Sequence, residues 1–224
     1  MATYLSIDID YWAYDFADGD SIVVGSDYTK LLVKKEQAMA RMLRYLKKMI
    51  KTDISIDEVI SHEEMIHYIN ESKADRLIND DYHSDLSDNC IDGELPKLDE
   101  GTWVNHLDIK EDFLWVYPFK RCFSEDLGTC HSIFCPFDRS ESKYDPHFCG
   151  WEKVSRRLNR LPTKKELSDV CRIGIAISPG WSSESFIQAT ANILLENKRI
   201  VCNKKTMDFL VDTVYEEDNE EVLA

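Results

Sequence analysis

The sequence predicts one α/β domain, residues 1–224, in which helices cover both faces of a mostly parallel sheet to give three α/β/α layers. Short apolar segments with strand patterning alternate along the chain with longer segments of helical periodicity. Because neighbouring parallel strands need crossover connections, this alternation favours a parallel sheet. Hydrophobic and charged fractions of 43% and 31% are typical of a globular protein, and the length suits one α/β domain.

The first half of the chain supplies two predicted strands and two predicted helices. The strands cover 3–9 and 75–80, and the helices cover 34–51 and 63–71. Residues 3–9 alternate apolar and polar side chains, as a half-buried strand does. Apolar residues in 34–51 recur at three- and four-residue spacing, which indicates an amphipathic helix. A short apolar stretch, 58–61, leads to His62.

The second half continues the alternation. Strands are predicted over 113–119 and 172–177, a short helix opens at Pro162, and a longer helix covers 182–195. Residues 86–101 are polar and contain Gly and Pro, which indicates a long loop. The cysteine-rich stretch 121–150 has no clear period and is interpreted as an insertion or lid, and 215–224 as a solvated acidic tail.

The charge of the chain excludes some partners. Net charge is −15, from 42 acidic and 27 basic residues, so nucleic acid and anionic membranes are repelled and a cationic substrate is favoured.

No apolar run approaches the ~20 residues of a membrane span, and the N-terminal residues lack the pattern of a signal peptide. We therefore expect a cytoplasmic protein, for which the sequence predicts no particular oligomeric state.

Seven cysteines without a secretion signal indicate reduced thiols. Four of them share one segment: Cys122, Cys130, Cys135 and Cys149. Their spacings are not the paired short knuckles of a structural zinc site, so free or packed thiols are favoured and zinc stays open.

Carboxylates and imidazoles gather where predicted strands end. Asp8 and Asp10 close the first strand, and Asp81, His83 and Asp85 follow the strand 75–80. Alternate residues of extended chain share a face, and a mixture of oxygen and imidazole ligands suits Mn²⁺, Fe²⁺ or Zn²⁺. So many carboxylates repel one another unless a cation intervenes. Taken alone, Asp8 and Asp10 also fit a loop cap, and His62 fits a helix-capping residue. Together with the second cluster, they predict a divalent-metal site.

Three motifs together resemble those of the arginase-like ureohydrolases. They are Ser61-His62-Glu63-Glu64, Asp81-Tyr82-His83-Ser84-Asp85 and Ser6-Ile7-Asp8-Ile9-Asp10. An aromatic residue follows Asp10, as in the branch that contains the peptide arginases. The resemblance implies two Mn²⁺ ions bridged by Asp8 and Asp81, with His62 and Asp85 completing one ion and His83 and Asp10 the other.

The resemblance also implies an activity: the arginine side chain of a ribosomal precursor peptide is converted to ornithine, with release of urea. Glu184, after the turn at Ser178, is a candidate to hold the guanidinium group, although a first-turn glutamate is also favoured by the helix dipole. His106 is a candidate proton donor to the leaving amine, and a partly buried neutral histidine is its structural alternative.

The chain departs from the family pattern in two ways. The Ser-x-Asp-x-Asp segment comes first here, whereas arginases place it after Asp-x-His-x-Asp, so the motif order is permuted. Ala13-Tyr14 stands where the family has Asp-Pro, which argues against free arginine as substrate. Two alternatives remain open: a deacetylase-type hydrolase of related fold with a single Zn²⁺, and a noncatalytic protein whose acidic residues hold a structural ion or a cationic partner.

Overall fold

The computed structural model describes residues 2–13, 28–81, 85, 97–99, 101–107, 109, 112–116, 154–158, 160–197 and 200–215. The strands are β1 (Thr3–Asp8), β2 (Ser55–Val59), β3 (Arg76–Asp80), β4 (Asp112–Val116), β5 (Val154–Leu158), β6 (Val170–Ala176) and β7 (Ile200–Val201). The helices are α1 (Asp10–Ala13), α2 (Tyr28–Ile50), α3 (Met65–Ser72), α4 (Glu184–Leu195) and α5 (Lys204–Tyr215), with 3-10 turns at His62–Glu64 and Trp103–His106.

The strands form one sheet in the order β5-β4-β3-β1-β6-β2-β7. Every strand pair is parallel. The connection from β1 to β2 passes through α2, and the connection from β2 to β3 returns through α3. This confirms the predicted α/β class with a parallel sheet.

Two hydrophobic clusters lie on opposite faces of the sheet. Alternation along the strands sends Ile7 and Ile78 to the face covered by α2, α4 and α5. Tyr4 and Leu77 point to the other face, where α3 and the 3-10 turn at Trp103 pack. The two clusters are the two interfaces of a three-layer arrangement, as predicted.

The centre of the sheet places three predicted site segments side by side. β1 lies between β3 and β6, with Ile7 opposite Asp80 and Asp8 opposite Ala176. From β1 the sheet grows in both directions, and the crossovers through α2 and α3 lie on opposite faces. In open α/β sheets, such a switch point leaves a crevice beyond the carboxyl ends of the strands.

Some predicted elements differ from the structure. Residues 164–169 form consecutive turns, so the short helix predicted from Pro162 is wrong. The Leu167 N–H donates to the Thr163 carbonyl at 3.1 Å, which closes one helical turn. Because β6 begins three residues after Leu167, a second helical turn does not form. The segment predicted as one helix, 63–71, is a 3-10 turn followed by α3. Strands β2, β5 and β7 and helix α5 had no prediction.

Several predictions fall outside the described residues. They are the insertion or lid at 121–150 with its four cysteines, residues 86–96 of the long loop, and the acidic tail beyond Tyr215. Among the helices that are described, none is both long enough and apolar enough to cross a bilayer.

Candidate metal centre

One imidazole nitrogen lies among three carboxylates beyond the carboxyl ends of β1 and β3. Nδ1 of His62 is 3.1 Å from Oδ2 of Asp8, 3.1 Å from Oδ2 of Asp81 and 3.0 Å from Oδ2 of Asp85. All four side chains are buried. We refer to Asp8, His62, Asp81 and Asp85 as the carboxylate–imidazole cluster.

The fold explains how three separate segments reach this point. Asp8 is the last residue of β1, Asp81 directly follows β3, and His62 opens the 3-10 turn after β2. The two-residue period of a strand turns Asp8 to the same face as Ser6, and Asp81 to the same face as Asn79. That face is the one covered by α3, which the 3-10 turn at His62 precedes.

Each member of the cluster has a second partner that fixes its orientation. Ser6 Oγ lies 2.7 Å from Nε2 of His62. The Ser178 hydroxyl donates to Oδ2 of Asp8 at 2.5 Å, the Asn79 amide donates to Oδ2 of Asp81 at 3.1 Å, and the Trp103 indole donates to Oδ2 of Asp85. When Nε2–H donates to Ser6, the lone pair of the imidazole lies on Nδ1 and faces the carboxylates.

Burial and like charge perturb the acids of this cluster. Burial, reinforced by the negative charge of Asp85, raises the pKa of Asp81 to about 7. Burial and the neighbouring charge of Asp10 raise the pKa of Asp8. Burial lowers the pKa of His62, but the attraction of the surrounding carboxylates outweighs it and the pKa rises well above its usual value. A nearby positive charge therefore stabilises the carboxylates of this cluster.

The single imidazolium of His62 supplies that positive charge poorly. Three carboxylate oxygens lie 3.0 to 3.1 Å from Nδ1 of His62, and the one N–H that this nitrogen can carry cannot point at all three. Asp8, His62 and Asp81 offer ligand atoms that all lie within 4.8 Å of one another. Oxygen and imidazole donors of this kind suit Mn²⁺, Fe²⁺ and Zn²⁺, and metal-bound histidines usually donate their other N–H, as Nε2 can to Ser6. The donor set fits a divalent ion.

The remaining predicted ligands are Asp10 and His83. Asp10 begins α1, is buried, and its backbone N–H donates to Oδ1 of Asp8 at 2.9 Å. It therefore lies beside the cluster without belonging to the closest group of ligand atoms. His83 lies outside the described residues.

The two candidates for substrate chemistry lie on neighbouring segments. Glu184 is exposed in the first turn of α4, shortly after the Ser178 turn that bonds Asp8. His106 ends the 3-10 turn that begins with Trp103, and its Nε2 is buried without a hydrogen-bond partner among the described residues. Because residues three apart eclipse in a 3-10 turn, His106 and Trp103 share one side of it.

Sequence reasoning missed two residues that contact the cluster. Asn79 could have been found, because it precedes Asp81 by two residues in extended chain and so shares its face. Trp103 carries no such signal, because it reaches Asp85 from 18 residues away in a segment without strand or helix periodicity. Its contact depends on tertiary packing alone.

Comparison of the chain with models of protein families, with curated proteins and with solved structures gives no match. The functional assignment therefore depends on the motifs and on the geometry of the carboxylate–imidazole cluster.

Proposed function

We propose that this protein is a metal-dependent hydrolase that cleaves the guanidinium group of arginine side chains in a peptide, yielding ornithine and urea. The observation that carries the proposal is the buried convergence of three carboxylates on Nδ1 of His62. It supports a divalent-metal centre, and the family resemblance of the motifs supports the choice of arginine. The net charge of −15 favours a cationic substrate.

The proposed cofactor is a pair of Mn²⁺ ions. Asp8, Asp81, His62 and Asp85 would hold one ion, and Asp10 and His83 together with Asp8 and Asp81 would hold the second. When bound, the ions lower the pKa of a water molecule toward ~7 and so supply a nucleophile at neutral pH. Ser6 and Asn79 hold His62 and Asp81 in the orientation that ligation requires.

Two residues that are not metal ligands bind the substrate and protonate the leaving group. Glu184 accepts two parallel N–H bonds from the guanidinium group, as a carboxylate does from an arginine fork. The water oxygen bonds to the guanidinium carbon, the bond from that carbon to the side-chain nitrogen breaks, and urea leaves. The two protons that the water loses end on the side-chain nitrogen, one of them by way of His106. His106 gives a proton to the departing ornithine nitrogen. Its Nε2, buried and without a hydrogen-bond partner in the part of the chain that the structure describes, supports this role, because a substrate group can complete its hydrogen bonding.

The proposed biological substrate is an arginine-containing precursor peptide in the cytoplasm, with no nucleic-acid or membrane partner. The test incubates the Mn²⁺-loaded protein with arginine peptides and with matched peptides in which lysine replaces arginine. Mass spectrometry follows the loss of CH₂N₂ from the peptide, and a coupled assay follows urea. Conversion of the arginine peptides alone supports the proposal. A protein that carries Mn²⁺ but forms neither ornithine nor urea contradicts it.

Glu184 offers a specific test of the substrate assignment. Glu184→Gln keeps the size of the side chain and removes its charge, so the metal content stays constant while KM for arginine peptides rises. Glu196→Gln, an exposed glutamate just beyond the other end of α4, is the matched control and leaves KM unchanged. Equal KM values for the two variants would remove Glu184 from the substrate site.

A single-metal hydrolase of the deacetylase type is the second candidate. The observation that favours it is that Asp8, His62 and Asp81 offer ligand atoms within 4.8 Å of one another, and three protein ligands are the usual set of a catalytic single-metal site. The metal content of the purified protein separates the two candidates, since two equivalents per chain favour the arginase-like centre. One equivalent together with release of acetate from acetyl-lysine peptides favours the deacetylase.

A further inference from the structure

Two buried indoles donate hydrogen bonds to members of the carboxylate–imidazole cluster, one to a side chain and one to the main chain. Trp103 donates its Nε1–H to Oδ2 of Asp85, and Trp115 donates its Nε1–H to the backbone carbonyl of Asp81 at 3.1 Å. Both indoles are fully buried in the hydrophobic cluster on the α3 face. The Trp103 N–H thus bonds a carboxylate oxygen that faces His62, whereas the Trp115 N–H bonds a backbone carbonyl.

Trp103 contacts a second member of the cluster. Its ring centroid lies 4.6 Å from that of His62, with the two planes inclined by 45°. The same carboxylate oxygen, Oδ2 of Asp85, is 3.0 Å from Nδ1 of His62 and accepts the indole N–H. One rigid side chain therefore contacts an imidazole and a carboxylate that come from different segments of the chain.

Packing fixes the position of Trp103 itself. The buried Thr102 precedes it, and its hydroxyl donates to the Lys97 carbonyl at 2.7 Å. Val104 and Leu107, which follow it, pack in the same hydrophobic cluster. The indole is therefore held by its own backbone and neighbours before any ion binds.

We propose that Trp103 is a positioning residue of the metal centre, whose indole N–H orients the carboxylate of Asp85 while its ring holds His62 in place. This inference rests on the proposed metal-binding function. The indole N–H is a donor with no acceptor capacity and no charge at any physiological pH. It can stabilise the Asp85 carboxylate without competing with a cation, whereas lysine or arginine at this position would repel the ion.

The expected effect lies in metal affinity. Residues that orient metal ligands typically contribute about 10- to 100-fold in affinity. Trp103→Phe keeps an aromatic ring and removes the N–H, so the affinity for Mn²⁺ should fall by that factor. Trp115→Phe is the matched control, because it also shortens a fully buried indole and removes one N–H bond, but that bond ends on a backbone carbonyl.

The experiment titrates metal-free wild type, Trp103→Phe and Trp115→Phe with Mn²⁺ by calorimetry, and records the visible absorption of each after loading with Co²⁺, which reports the ligand geometry. Urea unfolding of the metal-free proteins measures the loss of stability of each variant. The inference predicts similar destabilisation by both substitutions. The weaker Mn²⁺ binding and the altered Co²⁺ spectrum should be confined to Trp103→Phe.

The other outcomes overturn either the proposed metal-binding function or the role of the Trp103 N–H. If the wild type binds no Mn²⁺, the proposed function and the inference both fall. If the wild type binds Mn²⁺ and Trp103→Phe binds it equally well, the inference alone falls. Equal losses of affinity in both variants would assign the effect to packing and overturn the role of the N–H. If Trp103→Phe does not fold, benzothienylalanine at position 103, which exchanges N–H for sulfur in a ring of the same shape, replaces it in the same titration.

Discussion

A buried acid outside the carboxylate–imidazole cluster makes the stability of the protein depend on pH. Glu58, in β2, is fully buried, and neither of its carboxylate oxygens has a hydrogen-bond partner among the described residues. Burial raises its pKa from 4.5 to about 8. The carboxyl group is therefore protonated in the folded protein at neutral pH, whereas the unfolded chain has already released that proton.

The sign and size of the effect follow from this difference. Between pH 4.5 and about 8 the folded state binds more protons than the unfolded state, so the stabilising effect present below pH 4.5 is lost as the pH rises. At 1.36 kcal/mol per pKa unit, the full change amounts to about 5 kcal/mol. Glu58→Gln replaces the acid by a neutral group of the same size and removes the dependence.

The assay is urea unfolding of the metal-free wild type and Glu58→Gln at pH 5, 6, 7 and 8. Titration of all other groups cancels in the difference between the two proteins, so the variant should gain stability relative to wild type by up to about 1.4 kcal/mol per unit of pH. Glu196→Gln, at an exposed position, is the control and should show a flat difference. A flat difference for Glu58→Gln as well would refute the burial of an ionisable, unpartnered carboxyl group.

Three further predictions concern the metal centre. Ser6→Ala removes the partner of His62 Nε2 and should weaken Mn²⁺ binding about 10- to 100-fold by calorimetry, and unchanged affinity would contradict its orienting role. Asp8→Ala should lose nearly all bound metal by elemental analysis, because a bridging ligand serves both ions, whereas Asp85→Ala should retain one ion. Two equivalents in the Asp8 variant would show that the predicted ligand set is wrong. Mn²⁺ at 100 times its Kd should stabilise the wild type by about 2.7 kcal/mol in urea unfolding, and chelation should reverse the gain.

Local patterning predicted the elements around the candidate site. The alternation in 3–9 and the short run 75–80 correspond to β1 and β3, and the helical spacing in 34–51 corresponds to α2, which begins earlier, at Tyr28, and ends at Ile50. The helical spacing succeeds because only one face of α2 packs against the sheet. β1 and β3 are buried on both faces, and their polar residues Ser6 and Asn79 bond members of the carboxylate–imidazole cluster.

Strand β2 shows why the same reasoning failed elsewhere. Its residues Asp57 and Glu58 are acidic residue types, which hide the strand pattern in the sequence. Asp57 is nonetheless fully buried, because Arg172 of β6 pairs with it at 2.6 Å and the hydroxyl of Tyr4 in β1 donates to it at 2.9 Å. Those partners are brought in by the sheet, so no local window of sequence contains the reason that an acid is tolerated there.

The sequence by itself determined the chemistry of the candidate site and its place at strand ends. Asp8 ends β1 and Asp81 directly follows β3, both strands that the sequence predicts, and parallel strands bring their carboxyl ends to one edge. Tertiary structure alone decided that β3 and β6 flank β1, and that the Trp103 indole reaches Asp85. Strand order and such contacts depend on pairing and packing between distant segments, whose free energy no local pattern of residues records.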